Sequence, residues 1–474
     1  MKTNGFLQIA FVFGEVFLLL LTGGVLFIVI SRVAGLDIFG QYSLVIAWIM
    51  LFERAASFGI PELIMRETGI HGQESGRHVV HGMVIGLVAG LLSMSLMASI
   101  VFLFDYTQDT RQAILIGSLA LVPMMVNSIC RSAFLAQRQM HWVFLVALLE
   151  TSILMGVNIT LVVNGHGVIQ LVTTVVVAKW LSAALSLGLL HRFTLAMRLV
   201  FDWAFCRQML HPVFAFGTGN VLGMISVRLN TIMVSIWGDM AMVGYFSAAV
   251  KVLDLALVLP NLLAQLLMSP MARFLDRQDH YRLDRFHLVF RVIFWVTMPL
   301  GVGVIIFAET VIDVLFGSEF GGSVWMLRLL MVYFMMEVAD ILMSLIMRAT
   351  HRERTDVRLY AVNPAINVAL NLVLIPSLGG IGAAIGKVAG IIVSVALRYR
   401  YIARKLARVR WLDFAIRPVL VSAMIGSAIT LMFGGINGVL LGLGYVVACA
   451  LVIYMLRVIS IKEINQILHG EGEE

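Results

Sequence analysis

The sequence predicts an all-α protein that crosses a membrane about fourteen times. Of its 474 residues, 60% are hydrophobic and only 13% are charged, more apolar surface than a water-soluble chain of this length can bury. Apolar runs of about twenty residues recur along the whole chain, and one turn between two such runs is repeated. Together these observations predict two six-helix bundles, followed by two further helices.

Each predicted helix is an apolar run long enough to cross the ~30 Å hydrocarbon core, which takes about 20 residues at 1.5 Å each. The eleventh and twelfth are short and are separated only by "PSLGG". In order, the runs are 8–33, 39–64, 79–104, 112–136, 142–163, 168–190, 211–237, 243–268, 289–308, 322–347, 358–375, 381–398, 414–434 and 438–456.

The orientation follows from the distribution of basic residues. The first run is too long for a secretory signal and is interrupted by Glu15, so we expect a retained anchor. If the chain starts inside, most of its 34 Lys and Arg fall on that side, whereas Arg32 and Arg111 fall outside. The positive-inside rule then puts both termini in the cytoplasm of a multi-pass cell (inner) membrane protein.

The net charge of +7 could suggest nucleic acid. However, the basic segment "RYRYIARKLARVR" (398–410) adjoins a predicted membrane helix. We therefore expect it to meet anionic lipid headgroups, and we expect no nucleic-acid partner.

The repeated turn gives the domain organisation. "GLDIFGQYS" (35–43) returns as "GDMAMVGYFS" (238–247), an offset near 204 residues. Because six helices separate the copies, both have the same membrane orientation, and a pseudo-twofold axis along the membrane normal is expected. The predicted domains are residues 1–200 (helices one to six), 201–410 (helices seven to twelve) and 411–474 (helices thirteen and fourteen with a cytoplasmic tail).

The motif content disfavours an enzyme. The chain has no Gly-rich phosphate-binding loop, no HExxH and no GxSxG, and its three cysteines lack metal-ligand spacing. We expect no catalytic residue, no metal and no cofactor beyond coupling to a proton or sodium gradient. Two equivalent bundles without a catalytic domain are typical of a secondary transporter.

Three segments carry a family resemblance. They are "LTGGVLFIVISRVAGLDIFGQYSLVIAWIMLFERAASFGIPELIMRE" (21–67), "AAVKVLDLALVLPNLLAQLLMSPMAR" (248–273) and "NPAINVALNLVLIPSLGGIGAAIG" (363–386). Together they resemble the polysaccharide (O-antigen type) exporter branch of the multidrug/oligosaccharidyl-lipid/polysaccharide flippase superfamily. The resemblance implies a flippase that moves an undecaprenyl-pyrophosphate-linked oligosaccharide to the outer leaflet for lipopolysaccharide or other surface polysaccharide. Members often have an Asp in the seventh helix where this chain has Asn230.

A charged glycan headgroup needs a polar, cationic cavity, so ionisable residues inside the spans are the candidates. Arg228 and Lys251 lie at similar depth in the seventh and eighth helices. Lys251 also has Asp254 three residues on, so a self-neutralising pair is the alternative. Lys387 could instead snorkel to the outer interface. The candidate cavity residues are Arg228, Lys251, Asp254, Lys179, Lys387 and Asn230.

Acidic residues in the spans are candidates for carrying a coupling proton. The alternative is that these residues form interhelical ion pairs. Glu53 and the adjacent Arg54 are expected to pair in part, although adjacent helical residues diverge by about 100°. The coupling or ion-pair candidates are Glu15, Glu53, Arg54, Glu150, Glu337 and Asp340.

Two other functions fit less well. A multidrug or small-molecule extruder of the same superfamily would better suit twelve helices and a less cationic cavity. A membrane-embedded glycan polymerase or ligase would need a large outward loop. The expected partners are a lipid-linked oligosaccharide, membrane lipids and other polysaccharide-assembly proteins, with the chain itself a monomer.

Overall fold

A computed structural model describes residues 5–194, 202–276, 282–405, 411–433 and 437–455, and every regular element in these ranges is a helix. The predicted C-terminal tail after 455 lies outside them. The helices are α1 Gly5–Leu20, α2 Leu26–Ser57, α3 Ile60–His71, α4 Gly76–Ile100, α5 Gln108–Ser118, α6 Leu121–Ala136, α7 Met140–Val163, α8 Val168–Leu189, α9 Trp203–Trp237, α10 Met240–Asp276, α11 Arg282–Ile306, α12 Ala308–Leu315, α13 Ser323–Ala349, α14 Glu353–Tyr360, α15 Val362–Leu378, α16 Gly380–Lys405, α17 Trp411–Phe433 and α18 Gly438–Met455.

The predicted fold class is confirmed. Within the described ranges, eleven helical stretches are long and apolar enough to cross a membrane, or twelve if the pair Phe290–Ile306 and Ala308–Leu315, bent by 81°, counts as one. The first stretch, Gly14–Ser57, is 44 residues long. It covers most of the first two predicted segments, which are joined across a kink at Gly35, where the backbone leaves helical geometry.

Two compact units divide the chain, and the boundary lies between Gly244 and Tyr245. Unit 1 therefore contains α9, which packs against α2. The sequence repeat predicts a division at residue 200 instead, and that division stays a prediction. In unit 1, one apolar core joins α3, α4 and α6 through Leu63, Val79, Met125 and Ile129.

The repeated turn breaks helical geometry in both copies, with different backbone conformations. Gly35 has φ 82° and ψ 178° inside α2, a conformation that a residue with a Cβ adopts only under strain. Gly238, its counterpart, has an extended backbone with ψ 168° between α9 and α10. Both glycines interrupt helical geometry at the entrance to the next span.

The first copy of the turn and residues 238–244 of the second lie in unit 1, where they contact each other reciprocally. A Cβ on Gly40 would collide with the backbone oxygen of Met240, and a Cβ on Gly244 would lie 2.8 Å from the backbone oxygen of Leu36. Met240 is the repeat counterpart of Leu36, and Gly244 is that of Gly40. Such an exchange of equivalent contacts is what a local twofold relation produces.

Candidate functional site

A polar cavity of about 240 Å³ lies inside unit 1. Its walls come from α1, α6, α7, α8 and the π-helical turn Leu21–Val25 that follows α1. These helices present apolar residues elsewhere, so the polar side chains are concentrated on the faces that meet here. The volume suffices for several water molecules.

Two ion pairs cross this cavity between helices. Arg131 on α6 donates from Nε to Glu15 Oε1 on α1 at 2.8 Å and from Nη2 to Oε2 at 3.1 Å, a bidentate pair. Lys179 on α8 bonds Glu150 on α7, and Ser182 Oγ donates to the second oxygen of Glu150 at 3.2 Å. Arg131 is 50% exposed and Lys179 is 20% exposed, so the protein encloses neither cation completely.

Neutral hydrogen-bonding groups complete the cavity wall. Thr22, in the π-helical turn, lies 3.0 Å from the Thr151 hydroxyl, and Ser186 Oγ donates to Asn127 Oδ1 at 2.6 Å. The π-helical turn inserts an extra residue and is frequent at functional sites. Here it brings a hydroxyl of the first span to the cavity.

The charge of this cavity differs from the cationic cavity expected from the sequence. Its charged lining residues are Glu15, Arg131, Glu150 and Lys179, two acids and two bases. The wall is therefore balanced, with each cation held by a carboxylate. An anion entering here gains a cation only by displacing one of these carboxylates.

A second ionic cluster, in unit 2, is closed. Arg398 on α16 contacts Asp340 on α13, and its Nη2 lies 2.7 Å from Asp356 Oδ1 on α14. Ser394 Oγ also donates to Asp340 Oδ1 at 3.3 Å. Arg398 and Asp340 are each only 3% exposed. We call Asp340, Asp356, Arg398 and Ser394 the buried network.

Two side chains extend the buried network at its edge. Ser344 Oγ donates to Asp356 Oδ2 at 2.6 Å and accepts from Arg348 Nε at 3.0 Å. The network therefore ties α13 to α14 and α16, three helices of one unit.

Glu337 and Lys387 lie close to the same tyrosine. Tyr333 donates its hydroxyl to Glu337 Oε2 at 2.7 Å, and Lys387 Nζ lies 4.7 Å from the centre of the Tyr333 ring. Lys387 is buried. The interfacial snorkelling left open by the sequence therefore does not describe this lysine, and a cation–π contact does.

Helices α15 and α16 pack through an asparagine stripe on one and a glycine stripe on the other. Asn363, Asn367 and Asn371 recur every four residues on α15 and are buried, and Asn371 Nδ2 donates to Asn367 Oδ1 at 3.1 Å. A Cβ on Gly386 or Gly390 of α16 would collide with the Oδ1 of Asn371 or Asn363. Small residues here let amide side chains lie against the backbone of the next helix.

The remaining predicted residues lie elsewhere in the two units. Arg54 Nε is 3.8 Å from Glu53 Oε2 on α2, consistent with the partial pairing expected of neighbours. Arg228 is half-buried and Asn230 is buried on α9 of unit 1. Lys251 and Asp254 are half-buried on α10 of unit 2. The pairing of Lys251 with Asp254, and the facing of Arg228 and Lys251, stay predictions.

Sequence reasoning missed the partners of several predicted residues. Arg131 pairs with Glu15, and Asp356 joins the network of Asp340. Arg398 was assigned to the lipid-facing basic segment, but it is buried in that network, because α16 continues through the predicted interface to Lys405. Among the features that sequence reasoning missed, the asparagine stripe of α15 was visible in the sequence, through its spacing of four residues.

Outside the spans, Asp202 caps α9 and joins it to α4. Its Oδ1 accepts from the backbone N–H of Ala204 at 2.9 Å and of Phe205 at 3.3 Å, and its Oδ2 accepts from Arg77 Nη2 at 2.6 Å. The backbone N–H of Asp202 donates to Nε2 of buried His81 at 2.9 Å. The hydrogen bond from Phe205, with smaller contributions from Ala204 and Arg77, lowers the pKa of Asp202.

Unit 2 also contains an apolar groove of about 420 Å³. Leu300 and Val304 of α11, Phe307 after it, and Val446 of α18 line it, together with Tyr445. The Tyr445 hydroxyl donates a buried hydrogen bond to the backbone oxygen of Pro299 at 2.8 Å, so the polar atom of this side chain has a partner within the protein.

A family model described as "Polysaccharide biosynthesis protein" matches residues 29–325. The chain belongs to this polysaccharide biosynthesis family. The match covers more than half of the chain and confirms the family resemblance seen in the sequence. A search of curated protein sequences gave no significant match.

Solved structures agree on the fold of this family member. A lipid II flippase MurJ in an inward closed conformation aligns with a TM-score of 0.77 at 14% identity, over 95% of this chain and 100% of that one. An inward-facing multidrug resistance MATE family transporter of the MOP superfamily gives 0.66 at 15%, over 82% and 95%. A MOP superfamily transporter from Pyrococcus furiosus gives 0.59 at 14%, over 84% and 93%. The chain therefore has the multi-pass fold of MOP transporters.

Proposed function

We propose that this polysaccharide biosynthesis protein flips an undecaprenyl-pyrophosphate-linked oligosaccharide from the cytoplasmic to the outer leaflet of the inner membrane, by alternating access of its two bundles. The polar cavity of unit 1 carries the proposal. It offers charged and hydroxyl groups to a glycan pyrophosphate within a shell of apolar helices. Family membership supports a role in making surface polysaccharide such as O-antigen, and the transporter fold supports a role without catalysis.

Substrate binding in this scheme is an exchange of partners. Lys179 leaves Glu150, and Arg131 leaves Glu15, to contact the pyrophosphate. Uptake of one proton or sodium ion by each of the two released carboxylates balances the two negative charges of the pyrophosphate and couples transport to an ion gradient. Arg131 is half-exposed and Lys179 partly exposed, but the Glu15 carboxylate that Arg131 leaves is only 7% exposed, so the cation taken up there offsets a charge that would otherwise be buried and unpaired.

The polyprenyl tail has different needs, since it gains nothing from leaving hydrocarbon. The apolar groove of unit 2 is lined almost entirely by aliphatic and aromatic side chains, so it suits an isoprenoid chain. Headgroup and tail would then be handled by different units of the same protein.

Arg228 tests the wider cation requirement. In our proposal Arg228 is a further cation that meets the pyrophosphate, so reversing its charge removes a charge-assisted contact. That contact is worth roughly 1.5–3 kcal/mol, a ten- to hundredfold loss of affinity. Arg228→Glu should cut export far more than Arg228→Lys, at equal membrane abundance. Export at the parental rate by Arg228→Glu would remove Arg228 from the site.

The flippase function itself is tested by deletion of the gene. Surface polysaccharide should be lost, and the lipid-linked repeat unit should accumulate on the cytoplasmic leaflet. If the repeat unit is exported normally while drug sensitivity changes, the extruder function suggested by the MATE similarity replaces the proposal. If the unit reaches the outer leaflet but is not joined into polymer, a polymerase or ligase replaces it.

The orientation is tested by cysteine labelling after the three native cysteines, all buried, are replaced by serine. With both termini cytoplasmic, Cys at exposed Gln108, Ser318 and Asn437 should react with an impermeant reagent in intact cells. Cys at exposed Glu353 and Arg400 should react only after permeabilisation. The opposite pattern would reverse the proposed direction of transport.

A further inference from the structure

We propose that Glu67, His71 and His78 bind a divalent first-row transition-metal ion, best matched by zinc. These side chains lie at the turn between α3 and α4 in unit 1, outside the cavity and the buried network. One ligand atom from each lies within 4.8 Å of the other two. The site is independent of the proposed lipid-linked substrate.

The local fold brings the three side chains together. Glu67 and His71 are four residues apart at the end of α3, so they share one helix face. The 3₁₀ turn Gly72–Ser75 then reverses the chain, and His78 comes back in the first turn of α4. The His71 and His78 rings are stacked, with centroids 4.9 Å apart and an angle of 22° between their planes.

The distances match a tetrahedral metal. His71 Nδ1 is 3.5 Å and His78 Nε2 is 3.7 Å from the same oxygen, Glu67 Oε2. Ligands about 2.1 Å from a tetrahedral zinc ion lie about 3.4 Å from each other. These two distances exceed that value by a few tenths of an ångström at most, and the imidazole nitrogens lie within 4.8 Å of each other. Approach of the two imidazoles would complete the three-ligand arrangement, with water as the fourth ligand.

The surroundings orient these ligands. Arg66 Nε donates to Glu67 Oε1 at 3.0 Å, which occupies that oxygen and turns Oε2 toward the imidazoles. The His78 ring packs edge-on against Phe205, centroids 5.0 Å apart. Carboxylates and rings fixed in this way are typical of metal sites. His71 Nδ1 also lies 3.0 Å from the Glu67 backbone oxygen. A metal bound at Nδ1 replaces this hydrogen bond, and the neutral ring then carries its single proton on Nε2.

The ligand chemistry selects the class of ion. Two imidazoles and one carboxylate suit zinc, nickel or copper, whereas magnesium and calcium prefer oxygen ligands alone. Bound metal would join the end of α3 to the start of α4, next to the Arg77–Asp202 bond that holds the N-terminus of α9.

The test uses the full chain in detergent, with its affinity tag removed, stripped with chelator and dialysed against zinc. We expect one zinc ion per chain. Glu67→Gln and His71→Ala should each weaken binding at least about 100-fold, since even outer-shell substitutions cost 10–100-fold. His351→Ala is the matched control, because His351 is 93% exposed and lies 4.0 Å from a carboxylate, that of Glu353, outside the cluster.

Two further measurements keep the outcome decisive. His71→Cys should still bind Co²⁺ and add a thiolate charge-transfer band, which a purely structural role of His71 would not produce. Thermal melting must show that each variant is folded, and His71, 42% exposed, tolerates truncation. Folded protein that binds no zinc at micromolar concentration, or binding unchanged in both Glu67→Gln and His71→Ala, overturns the site.

Discussion

The polar cavity of unit 1 and the buried network of unit 2 contain the same kinds of groups in opposite settings. Both pair arginine or lysine with carboxylates from neighbouring helices. In the cavity the protein leaves the cations partly uncovered, with Arg131 half exposed. In the network Arg398 and Asp340 are almost fully enclosed.

This difference separates two uses of an intramembrane ion pair. A solvent-accessible pair can exchange its partner for an anionic substrate at modest cost, because water solvates the carboxylate left behind. An enclosed pair cannot, since removal of one partner leaves a buried charge uncompensated. We therefore assign substrate contact to the cavity and helix attachment to the network.

The largest expected effect is on stability, in the buried network. Arg398→Met leaves the buried Asp340 without its cation and Asp356 with only the more distant Arg348, at 3.7 Å. It should cost about 3–5 kcal/mol of unfolding free energy, measured by thermal melting in detergent. Arg400→Met, at an exposed position on the same helix, is the control. The triple variant Arg398→Met/Asp340→Leu/Asp356→Leu should recover most of the loss. Wild-type melting of Arg398→Met alone would refute the structural role.

The next effect is on transport, in the cavity. Lys179→Met/Glu150→Gln removes both charges of one pair, so its free energy of unfolding should lie within about 1 kcal/mol of that of the parent. Export should fall roughly ten- to hundredfold through loss of one charge-assisted contact. Lys405→Met, at an exposed lysine, should leave export unchanged. If the double variant instead loses stability and exports normally, the roles of the two regions are reversed.

Coupling distinguishes two glutamates. Glu150→Gln removes a carboxylate that faces the cavity and should abolish the response of export to a proton gradient in vesicles. Glu337→Gln should retain that response, because Glu337 does not line the cavity. It should cost less than about 1 kcal/mol of unfolding free energy, because the amide oxygen still accepts the Tyr333 hydroxyl. Loss of the response only in Glu337→Gln would place the coupling group in unit 2. Comparison with and without an uncoupler provides the measurement.

The smallest effect is the salt dependence. The contribution of the Glu15–Arg131 pair, whose arginine is 50% exposed and whose carboxylate is 7% exposed, should shrink somewhat as salt is raised, because mobile ions screen exposed charges. The difference in melting temperature between Arg131→Met and the parent should therefore narrow with salt. The difference for Arg398→Met should stay constant. Equal salt dependence of the two would contradict the contrast in exposure.

The sequence predicted the helices well because about twenty apolar residues suffice to identify a membrane span. Individual candidates such as Lys179 and Glu150 could be found for a similar reason, since a charge within such a run is conspicuous. The ion-pair partners of such candidates could not be found from the sequence. Glu15 pairs with Arg131 across 116 positions of the chain, and neither periodicity nor composition reports which helices become neighbours.

Helix ends were the other source of error. Arg398 seemed to lie beyond its span because hydropathy falls where charges begin, yet α16 continues to Lys405 and the guanidinium is neutralised inside unit 2. A hydropathy profile records the cost of a lone charge. It cannot register that two aspartates on other helices offset that cost.

The reciprocal contact between the two copies of the repeated turn has a genetic consequence. Gly40 faces the main chain of Met240, and Gly244 faces the main chain of Leu36. A side-chain clash can be relieved by trimming the opposing residue, but peptide oxygens cannot be trimmed by mutation. A suppressor screen starting from Gly40→Ala should therefore yield true revertants and no compensating substitution at Met240. The duplicated turn is thus an inherited constraint in which each copy restricts the other.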